Sequence, residues 1–294
     1  MTFSGIITAL VTPFHQGKLD KNSFLKLLKS QVEQGVSHFV LDSTTGESPT
    51  LEERDLETLV SWFREFEKEK SLALRLMAGT GTFSTKKTVE KTHRAEKLGV
   101  DSVLVVTPYY NRPSQEGLFL HFKQIADSTS LPIILYNVPS RTACSLDVPT
   151  LARLSKIENI KGLKEASGDM NFFKQIRQAC GENFSLLSGD DFTCVESFLS
   201  GGDGTISAAS NVMGRTLKAF FERAKKNDTS VLEDFKKYED FLKALYGETN
   251  PLGAKQVLSY FGVISSPETR LPLFNTEISP RLKPEVEKVQ DFLL

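Results

Sequence analysis

Short apolar runs alternate with longer amphipathic segments along most of this chain. Eight of the runs are four to six residues long, rich in aliphatic and β-branched residues, and bounded by glycine or polar residues. Runs of this kind are typical of parallel strands that are buried on both faces. The sequence therefore predicts strands at residues 6–11, 38–42, 73–78, 102–106, 132–136, 160–164, 184–187 and 204–207.

The segments between these strands have the periodicity of helices that bury one face. The clearest span residues 22–34 and 51–68. Thr50 and Glu53 have the spacing of a capping box, in which each side chain accepts a hydrogen bond from an exposed backbone amide at the start of the second helix. Gly35, Gly99 and Gly201 follow helical segments and are predicted to end them in the left-handed conformation.

Eight strand-then-helix units predict a closed (β/α)8 barrel, the TIM-barrel fold of the α/β class. An open doubly wound sheet is the main competitor, but such a sheet usually carries a glycine-rich turn after its first strand. This chain has Thr12-Pro13-Phe14-His15 there. Strand patterns fade after Arg215, and helical patterns continue at residues 218–225, 231–245 and 251–260. We therefore predict a barrel over residues 1–225 and a small C-terminal helical appendage over residues 226–294.

The composition is that of an ordinary globular protein, and it narrows the range of partners. Of the 294 residues, 39% are hydrophobic and 25% are charged, and the formal net charge is −1. A nearly neutral chain gives no electrostatic reason to expect nucleic acid or an anionic membrane as a partner. The N-terminal segment lacks the features of a signal peptide, and no apolar run approaches the roughly 20 residues of a membrane span. We expect a cytoplasmic protein.

The three cysteines and four histidines are scattered along the chain. Cys144, Cys180 and Cys194 are odd in number, contain no Cys-x-x-Cys pair, and form no cluster with histidine at the spacing of metal ligands. Reduced thiols are therefore the expected state of the cysteines, and the sequence predicts no metal site.

Residues with catalytic chemistry collect directly after the predicted strands. In (β/α)8 barrels the working residues lie at the C-terminal ends of the strands and on the loops that follow. Four of these strand ends are rich in polar and aromatic side chains, at residues 43–47, 107–113, 136–142 and 162–168. The active site is predicted at this end of the barrel.

Lys164 is the candidate nucleophile. It ends an apolar strand, so its amine is expected to lie in a partly dehydrated cavity, where desolvation disfavours the ammonium form. A neutral lysine amine can attack a carbonyl carbon and form a Schiff base. A lone lysine at a strand end more commonly extends to the rim of the barrel. Here two tyrosines, two threonines and an arginine converge from neighbouring loops, which favours the nucleophile.

Each converging residue has a chemical interpretation beside a simpler one. Tyr136 could carry protons during imine formation, or it could merely close the top of the barrel. Arg141 has a planar guanidinium group suited to a carboxylate, or it could be a solvated surface arginine. Thr44 and Thr45 could present hydroxyls and backbone amides to a carboxylate, or they could form an ordinary polar turn. Tyr110 lies in a proline-flanked loop, where surface or interface packing is the simpler interpretation.

Seven segments carry a specific resemblance to a known family. They are residues 44–47 (TTGE), 78–81 (AGTG), 107–117 (TPYYNRPSQEG), 135–142 (LYNVPSRT), 162–166 (GLKEA), 187–191 (LSGDD) and 250–251 (NP). In this order and spacing they resemble the dihydrodipicolinate synthases, also called 4-hydroxy-tetrahydrodipicolinate synthases. That family belongs to the pyruvate-dependent aldolases, a superfamily that includes the N-acetylneuraminate lyases. The resemblance runs from the first strand to near the C-terminus.

The resemblance implies a reaction and assigns the catalytic roles. The family condenses pyruvate with L-aspartate 4-semialdehyde, in the first committed step of the diaminopimelate and lysine pathway. Lys164 would form the imine with pyruvate, so that no separate cofactor is needed. Tyr136 would donate and accept the proton, relayed through Thr44 and Tyr110. In the family the tyrosine matching Tyr110 reaches into the site of the neighbouring subunit, which implies a homodimer, commonly paired into a homotetramer.

The resemblance also assigns the residues that bind the substrates. Thr45 and the backbone at Ile206 would hold the pyruvate, and Gly189 is expected beside them. Arg141 would bind the carboxylate of the semialdehyde. The product ring would close as the substrate's own amine displaces Lys164.

Two departures from the family pattern bear on function. Ser43 stands where the family usually has glycine, and its side chain could shift the threonine turn slightly. The second departure concerns the feedback site for lysine, where sensitive members carry an amide and a carboxylate at the positions of Phe83 and Lys87, and often histidines at those of Glu53 and Leu56. A cation at position 87 would repel the ammonium group of the effector. We therefore expect weak or absent sensitivity to lysine.

Two other functions compete with the synthase. A superfamily aldolase or lyase that acts on a sugar acid would share Lys164 and Tyr136, whereas Tyr110 and Arg141 favour the synthase. A catalytically dead barrel that only binds 2-oxo acids should have lost one of the catalytic residues, and all of them are present.

Overall fold

Eight parallel strands close into a barrel in the computed structural model, which describes residues 3–294. Met1 and Thr2, at the start of the predicted barrel, lie outside the described residues. The strands are β1 Gly5–Ala9, β2 His38–Leu41, β3 Arg75–Gly79, β4 Ser102–Val106, β5 Ile133–Asn137, β6 Ile160–Glu165, β7 Ser185–Ser188 and β8 Gly204–Ser207. Each strand lies beside its neighbours in the sequence, and β8 lies beside β1. The predicted TIM-barrel fold is confirmed, and every predicted strand lies within two residues of the observed one.

Helices follow the strands along the chain. They are α1 Lys21–Glu33, α2 Glu53–Glu69, α3 Thr85–Lys97, α4 Gln115–Asp127, α5 Pro139–Thr142, α6 Val148–Leu154, α7 Met170–Cys180, α8 Cys194–Leu199 and α9 Ser210–Ala224. Four more helices end the chain: α10 Val231–Phe235, α11 Glu239–Leu245, α12 Leu252–Tyr260 and α13 Leu282–Val289. Single 3-10 turns occupy Ser48–Thr50, Lys236–Tyr238 and Gln290–Phe292, and a small antiparallel hairpin joins Phe14–His15 to Lys18–Leu19.

The chain divides into two compact units. Of the described residues, the first unit contains residues 3–5 and 76–206, and the second contains residues 6–75 and 207–294. In the first unit, β5, β6 and β7 pair in parallel, and α3, α4, α6 and α7 pack in succession. In the second unit, β1 pairs with β2, and α9 packs against α1 and α12. The predicted boundary between residues 225 and 226 stays a prediction.

Local signals at helix ends were partly misleading. The predicted capping box of Thr50 and Glu53 is wrong, because residues 48–50 form a separate 3-10 turn with Pro49 in its first turn. Helix α2 begins later, and its capping box pairs Glu52 with Asp55. The glycine prediction is confirmed at Gly35, Gly99 and Gly201, which have φ of 81°, 76° and 86°.

Among residues 3–294, no helix combines the length and apolar character needed to span a bilayer. The three cysteines are all free.

Candidate active site

Lys164 and Tyr136 lie side by side at the C-terminal ends of β6 and β5. The register of the two strands aligns Tyr136 with Lys164, and aligned residues on neighbouring strands project to the same face. Both side chains are buried, with 6% of Lys164 and 7% of Tyr136 exposed. The lysine Nζ lies 4.3 Å from the centroid of the tyrosine ring. The structure thus brings together the predicted nucleophile and the predicted proton carrier.

Gly189 provides the space that the Lys164 side chain occupies. It follows β7, and its backbone N–H donates to the carbonyl of Glu165 at 2.6 Å. A Cβ atom added at position 189 would lie 2.7 Å from Lys164 Cε and 2.7 Å from Ala166 Cβ. Real Cβ atoms do not approach other carbons so closely, because packing in protein interiors is already dense. Gly189, predicted as a substrate-binding residue, therefore lies against the side chain of the predicted nucleophile.

Asn137 and Glu165 form a buried pair next in sequence to Tyr136 and Lys164. Asn137 Nδ2 donates to Glu165 Oε2 at 2.7 Å. Burial raises the pKa of Glu165, and hydrogen bonds from Ser167 and Asn137 act in the opposite direction. Sequence reasoning missed this pair. The available signal was a polar residue directly after each of the two predicted catalytic positions, at the end of an apolar strand.

The loops after β4 and β5 are joined by short polar contacts. Thr107 Oγ1 donates to Thr142 Oγ1 at 3.2 Å, and Cys144 Sγ donates to the carbonyl of Pro108 at 3.0 Å. These contacts hold the single turn of α5, which carries Arg141. The Arg141 side chain itself is exposed to solvent.

Tyr110 is almost fully exposed to solvent in its own chain. Its side chain is 94% exposed, and its φ of 74° lies in the left-handed region. The next residue anchors the loop, since Asn111 Nδ2 donates to the carbonyl of Phe83 at 2.9 Å. Tyr109 packs edge-on against the Phe83 ring with centroids 5.5 Å apart. The structure therefore does not bring Tyr110 together with Lys164 and Tyr136 within one chain.

Thr44 and Thr45 form a tight turn after β2. The N–H of Glu47 donates to the Thr44 carbonyl at 3.1 Å, and the N–H of Ser48 donates to the Ser43 carbonyl at 3.0 Å. Thr45 is buried, and its hydroxyl oxygen accepts a hydrogen bond from Asn250 Nδ2 at 3.0 Å. Thr44 is half-buried. Ser43 is accommodated without opening this turn, which keeps both of its backbone hydrogen bonds.

A buried ion pair closes the same turn. Glu47 has a left-handed backbone, with φ of 62°, and its carboxylate pairs with the ammonium group of Lys255 on α12. Lys255 also donates to the carbonyl of Glu268 at 2.6 Å, and the N–H of Arg270 donates to Glu47 Oε2 at 3.0 Å. Burial lowers the pKa of Lys255 to about 8, although the Glu47 charge opposes the shift. Sequence reasoning missed this pair; a lysine inside the apolar helical pattern of residues 251–260 was the available signal.

Ile206, whose backbone was predicted to bind pyruvate, lies fully buried in β8. Over residues 3–294, no group of three or more His, Cys, Asp or Glu side chains has an arrangement that could hold a metal ion. The predicted site residues at the strand ends provide an amine, phenols, hydroxyls and a guanidinium group.

Comparison with known proteins relates almost the whole chain to one enzyme family. A sequence profile of the dihydrodipicolinate synthetase family matches residues 2–290. The 4-hydroxy-tetrahydrodipicolinate synthase of Bdellovibrio bacteriovorus is 42% identical over 290 residues, which cover 98% of each chain.

Two solved structures show the same architecture. The dihydrodipicolinate synthase of Acinetobacter baumannii, solved in complex with pyruvate, superimposes with a TM-score of 0.91 at 36% identity and covers 99% of each chain. The enzyme of Aquifex aeolicus gives a TM-score of 0.90 at 36% identity, covering 99% of this chain and 98% of that one.

Proposed function

Because this chain belongs to the dihydrodipicolinate synthetase family, we propose that it condenses pyruvate with L-aspartate 4-semialdehyde as a 4-hydroxy-tetrahydrodipicolinate synthase. The observation that carries the proposal is the buried Lys164 amine against the Tyr136 ring, in space that Gly189 leaves open. A lysine in this setting has the surroundings that a Schiff-base nucleophile needs. The reaction needs no cofactor beyond the covalent imine.

The chemistry proceeds through the amine of Lys164. The neutral amine attacks the ketone carbon of pyruvate, and water leaves to give the imine. Loss of a proton from the pyruvate methyl group gives the enamine, whose carbon adds to the aldehyde of the second substrate. The amine of that substrate then attacks the imine carbon, which closes the ring and releases Lys164. Tyr136, beside the amine, donates and accepts the protons of these steps.

The remaining residues supply the relay and the binding contacts. Thr44 and Tyr110 relay protons to Tyr136, and Thr45, Ile206 and Gly189 contact the pyruvate. Arg141 binds the carboxylate of the semialdehyde. The exposure of Arg141 supports this role, because a bidentate guanidinium that meets solvent can capture a carboxylate as it arrives.

The working unit is a homodimer or homotetramer in the cytoplasm. Tyr110 supports the assembly, because a tyrosine that is 94% exposed in a strained loop can serve the site of a second copy. Three free thiols support the location, since reducing compartments keep cysteines unpaired. Sedimentation of the purified protein would give the number of subunits.

A two-substrate assay followed by borohydride trapping tests the acceptor and the nucleophile together. Purified enzyme should turn over pyruvate with aspartate semialdehyde, and borohydride with pyruvate should leave a mass adduct on Lys164. Lys164→Met should lose both, whereas Lys161→Met, on the same strand, should keep both. Activity confined to N-acetylneuraminate or 2-keto-3-deoxygluconate would favour the sugar-acid lyase instead. Absence of any borohydride adduct on Lys164 would favour the catalytically dead barrel that only binds 2-oxo acids.

A further inference from the structure

The buried pair of Asn137 and Glu165 has no role in the chemistry above. We propose that both are positioning residues, whose mutual hydrogen bond fixes the placement of Lys164 against Tyr136. The inference rests on the proposed Schiff-base function and extends it to residues that never touch the substrate. It is carried by the direction of the hydrogen bonds, the strand register and the burial of both side chains.

The hydrogen bonds around the pair have only one consistent direction. The backbone N–H of Leu146 can only donate, and it donates to Asn137 Oδ1 at 3.0 Å. The amide nitrogen of Asn137 must therefore face Glu165, to whose Oε2 it donates at 2.7 Å. The other carboxylate oxygen, Oε1, accepts from the N–H of Ser167 at 2.6 Å. Position 165 thus has to present two acceptors, and position 137 has to present an acceptor and a donor.

The strand geometry transmits this bond to the catalytic residues. Asn137 aligns with Glu165 as Tyr136 aligns with Lys164, one residue earlier on each strand. Successive side chains point to opposite faces, so the pair holds the strands together from the face opposite the lysine. The backbones of the pair hold the next elements as well, because the Asn137 carbonyl accepts from Ala166 N at 2.9 Å and the Glu165 carbonyl accepts from Gly189 N.

The pair also anchors the loop that carries Arg141. Leu146 and Ser145 end that loop, and Ser145 Oγ lies 3.2 Å from Asn137 Nδ2. A displacement on the order of 1 Å in a reacting group can lower a rate by about 100-fold. A buried polar pair at this point therefore controls the geometry of the reaction more than it adds to the binding of either substrate.

An amide–carboxylate exchange tests the proposal, because the double variant keeps both the size and the net charge of the pair. Glu165→Gln places an amide nitrogen against one of the two N–H donors that the carboxylate faces. Asn137→Asp places a carboxylate oxygen against the carboxylate of Glu165. The double variant restores all three hydrogen bonds by reversing the central one. The new carboxylate at 137 accepts from Leu146 N and from the new amide nitrogen at 165. The amide oxygen at 165 still accepts from Ser167 N. Each single variant should trap pyruvate with borohydride at least about tenfold more slowly, and the double variant should recover to within about threefold of the wild type.

The trapping experiment separates misplacement from loss of folded protein. Loss of folded enzyme lowers the final amount of Lys164 adduct, whereas misplacement lowers the rate at which the adduct forms. Wild-type trapping rates in both single variants would overturn the proposal, and so would slow trapping in the double variant equal to that of the single ones. The proposed function fails separately, if the wild type itself gives no adduct with pyruvate.

Discussion

At the scale of single residues, the space around Lys164 depends on one missing methyl group. A Cβ atom at position 189 would lie within 2.8 Å of both Cε and Cγ of Lys164. Glycine has no Cβ, so it leaves this space to the lysine. Displacing the lysine side chain would cost free energy, because it is buried beside Tyr136. The identity of residue 189 therefore determines where the Lys164 side chain can lie.

Gly189→Ala should reduce kcat/KM for pyruvate by about 100-fold, because the new methyl group displaces the lysine amine from its place beside Tyr136. Steady-state kinetics measure this directly. Gly117→Ala, near the start of α4, is a matched control, since its added Cβ meets only Pro113 Cβ and Ser114 Oγ, both at 3.4 Å. Near wild-type kinetics in Gly189→Ala would contradict the steric argument.

His121 gives the protein a pH-dependent stability. It is buried on α4, with Nδ1 2.9 Å from Thr85 Oγ1, and burial lowers its pKa to about 4 from an ordinary 6.5. Between these values the unfolded chain binds a proton that the folded protein does not. The stability is therefore complete above pH 6.5 and falls as the pH drops towards 4.

The free energy of unfolding should fall by about 2 kcal/mol between pH 7 and pH 5 on account of this residue. Urea denaturation at the two pH values measures the difference. His121→Gln should show a loss smaller by about that amount, while the exposed His93→Gln should follow the wild type. Equal losses in His121→Gln and the wild type would show that other groups carry the acid sensitivity.

At the scale of elements, the strands were predicted better than the points where one helix ends and the next begins. The strand over residues 102–106 is almost entirely aliphatic and buried, so its apolar pattern fixes both of its ends. The predicted helix over residues 231–245 is instead broken by a 3-10 turn at Lys236–Tyr238. Apolar periodicity hardly distinguishes an α-helix from one with a tighter turn in its middle.

The start of α3 bears on regulation. Lys87, in its first turn, lies with its Nζ 5.6 Å from the centroid of the Phe83 ring, and this cation and ring stand where lysine-inhibited relatives are expected to have polar acceptors. An arriving ammonium group would meet the like charge of Lys87 here.

L-lysine at micromolar concentrations should therefore leave the steady-state rate unchanged. An assay with both substrates at their KM, across a lysine titration, measures this. Lys87→Met should also remain insensitive, because it removes the repelling charge without supplying an acceptor. Inhibition of the wild type in the micromolar range would contradict the expectation.

At the scale of the whole molecule, the sequence indicated the site residues that a local rule identifies. It missed those that depend on contacts between distant segments. Lys164 and Tyr136 end strands, and the barrel rule points to such positions directly. Glu47 and Lys255 lie 208 residues apart, and nothing local in either segment indicates the other. Asn137 and Glu165 depend on a strand register that a single sequence does not reveal.

Lys255→Met should destabilise the protein by about 3–5 kcal/mol, because it leaves the Glu47 carboxylate buried without its partner. Adding Glu47→Gln to that variant should restore part of the loss, since the uncompensated charge is then removed. Denaturant unfolding of both variants measures the effect.

The exposed pair of Lys123 and Asp127 provides the control. Lys123→Met breaks a solvent-exposed bridge and should change stability by less than about 1 kcal/mol. A similar small loss in Lys255→Met would show that the buried pair contributes no more than a surface one.

The separation of Glu47 from Lys255 also sets an order of events during synthesis. At about 5–20 residues per second, the ribosome adds Lys255 roughly 10 to 40 s after Glu47, since 208 residues separate them. The contacts of Lys164 with Tyr136 and Gly189 join residues that all precede position 190. The nascent chain therefore contains the lysine and both of its neighbours before the ion pair that closes the Thr44–Thr45 turn can form. A chain whose translation stops before residue 255 would carry the lysine of this enzyme with an unanchored threonine turn.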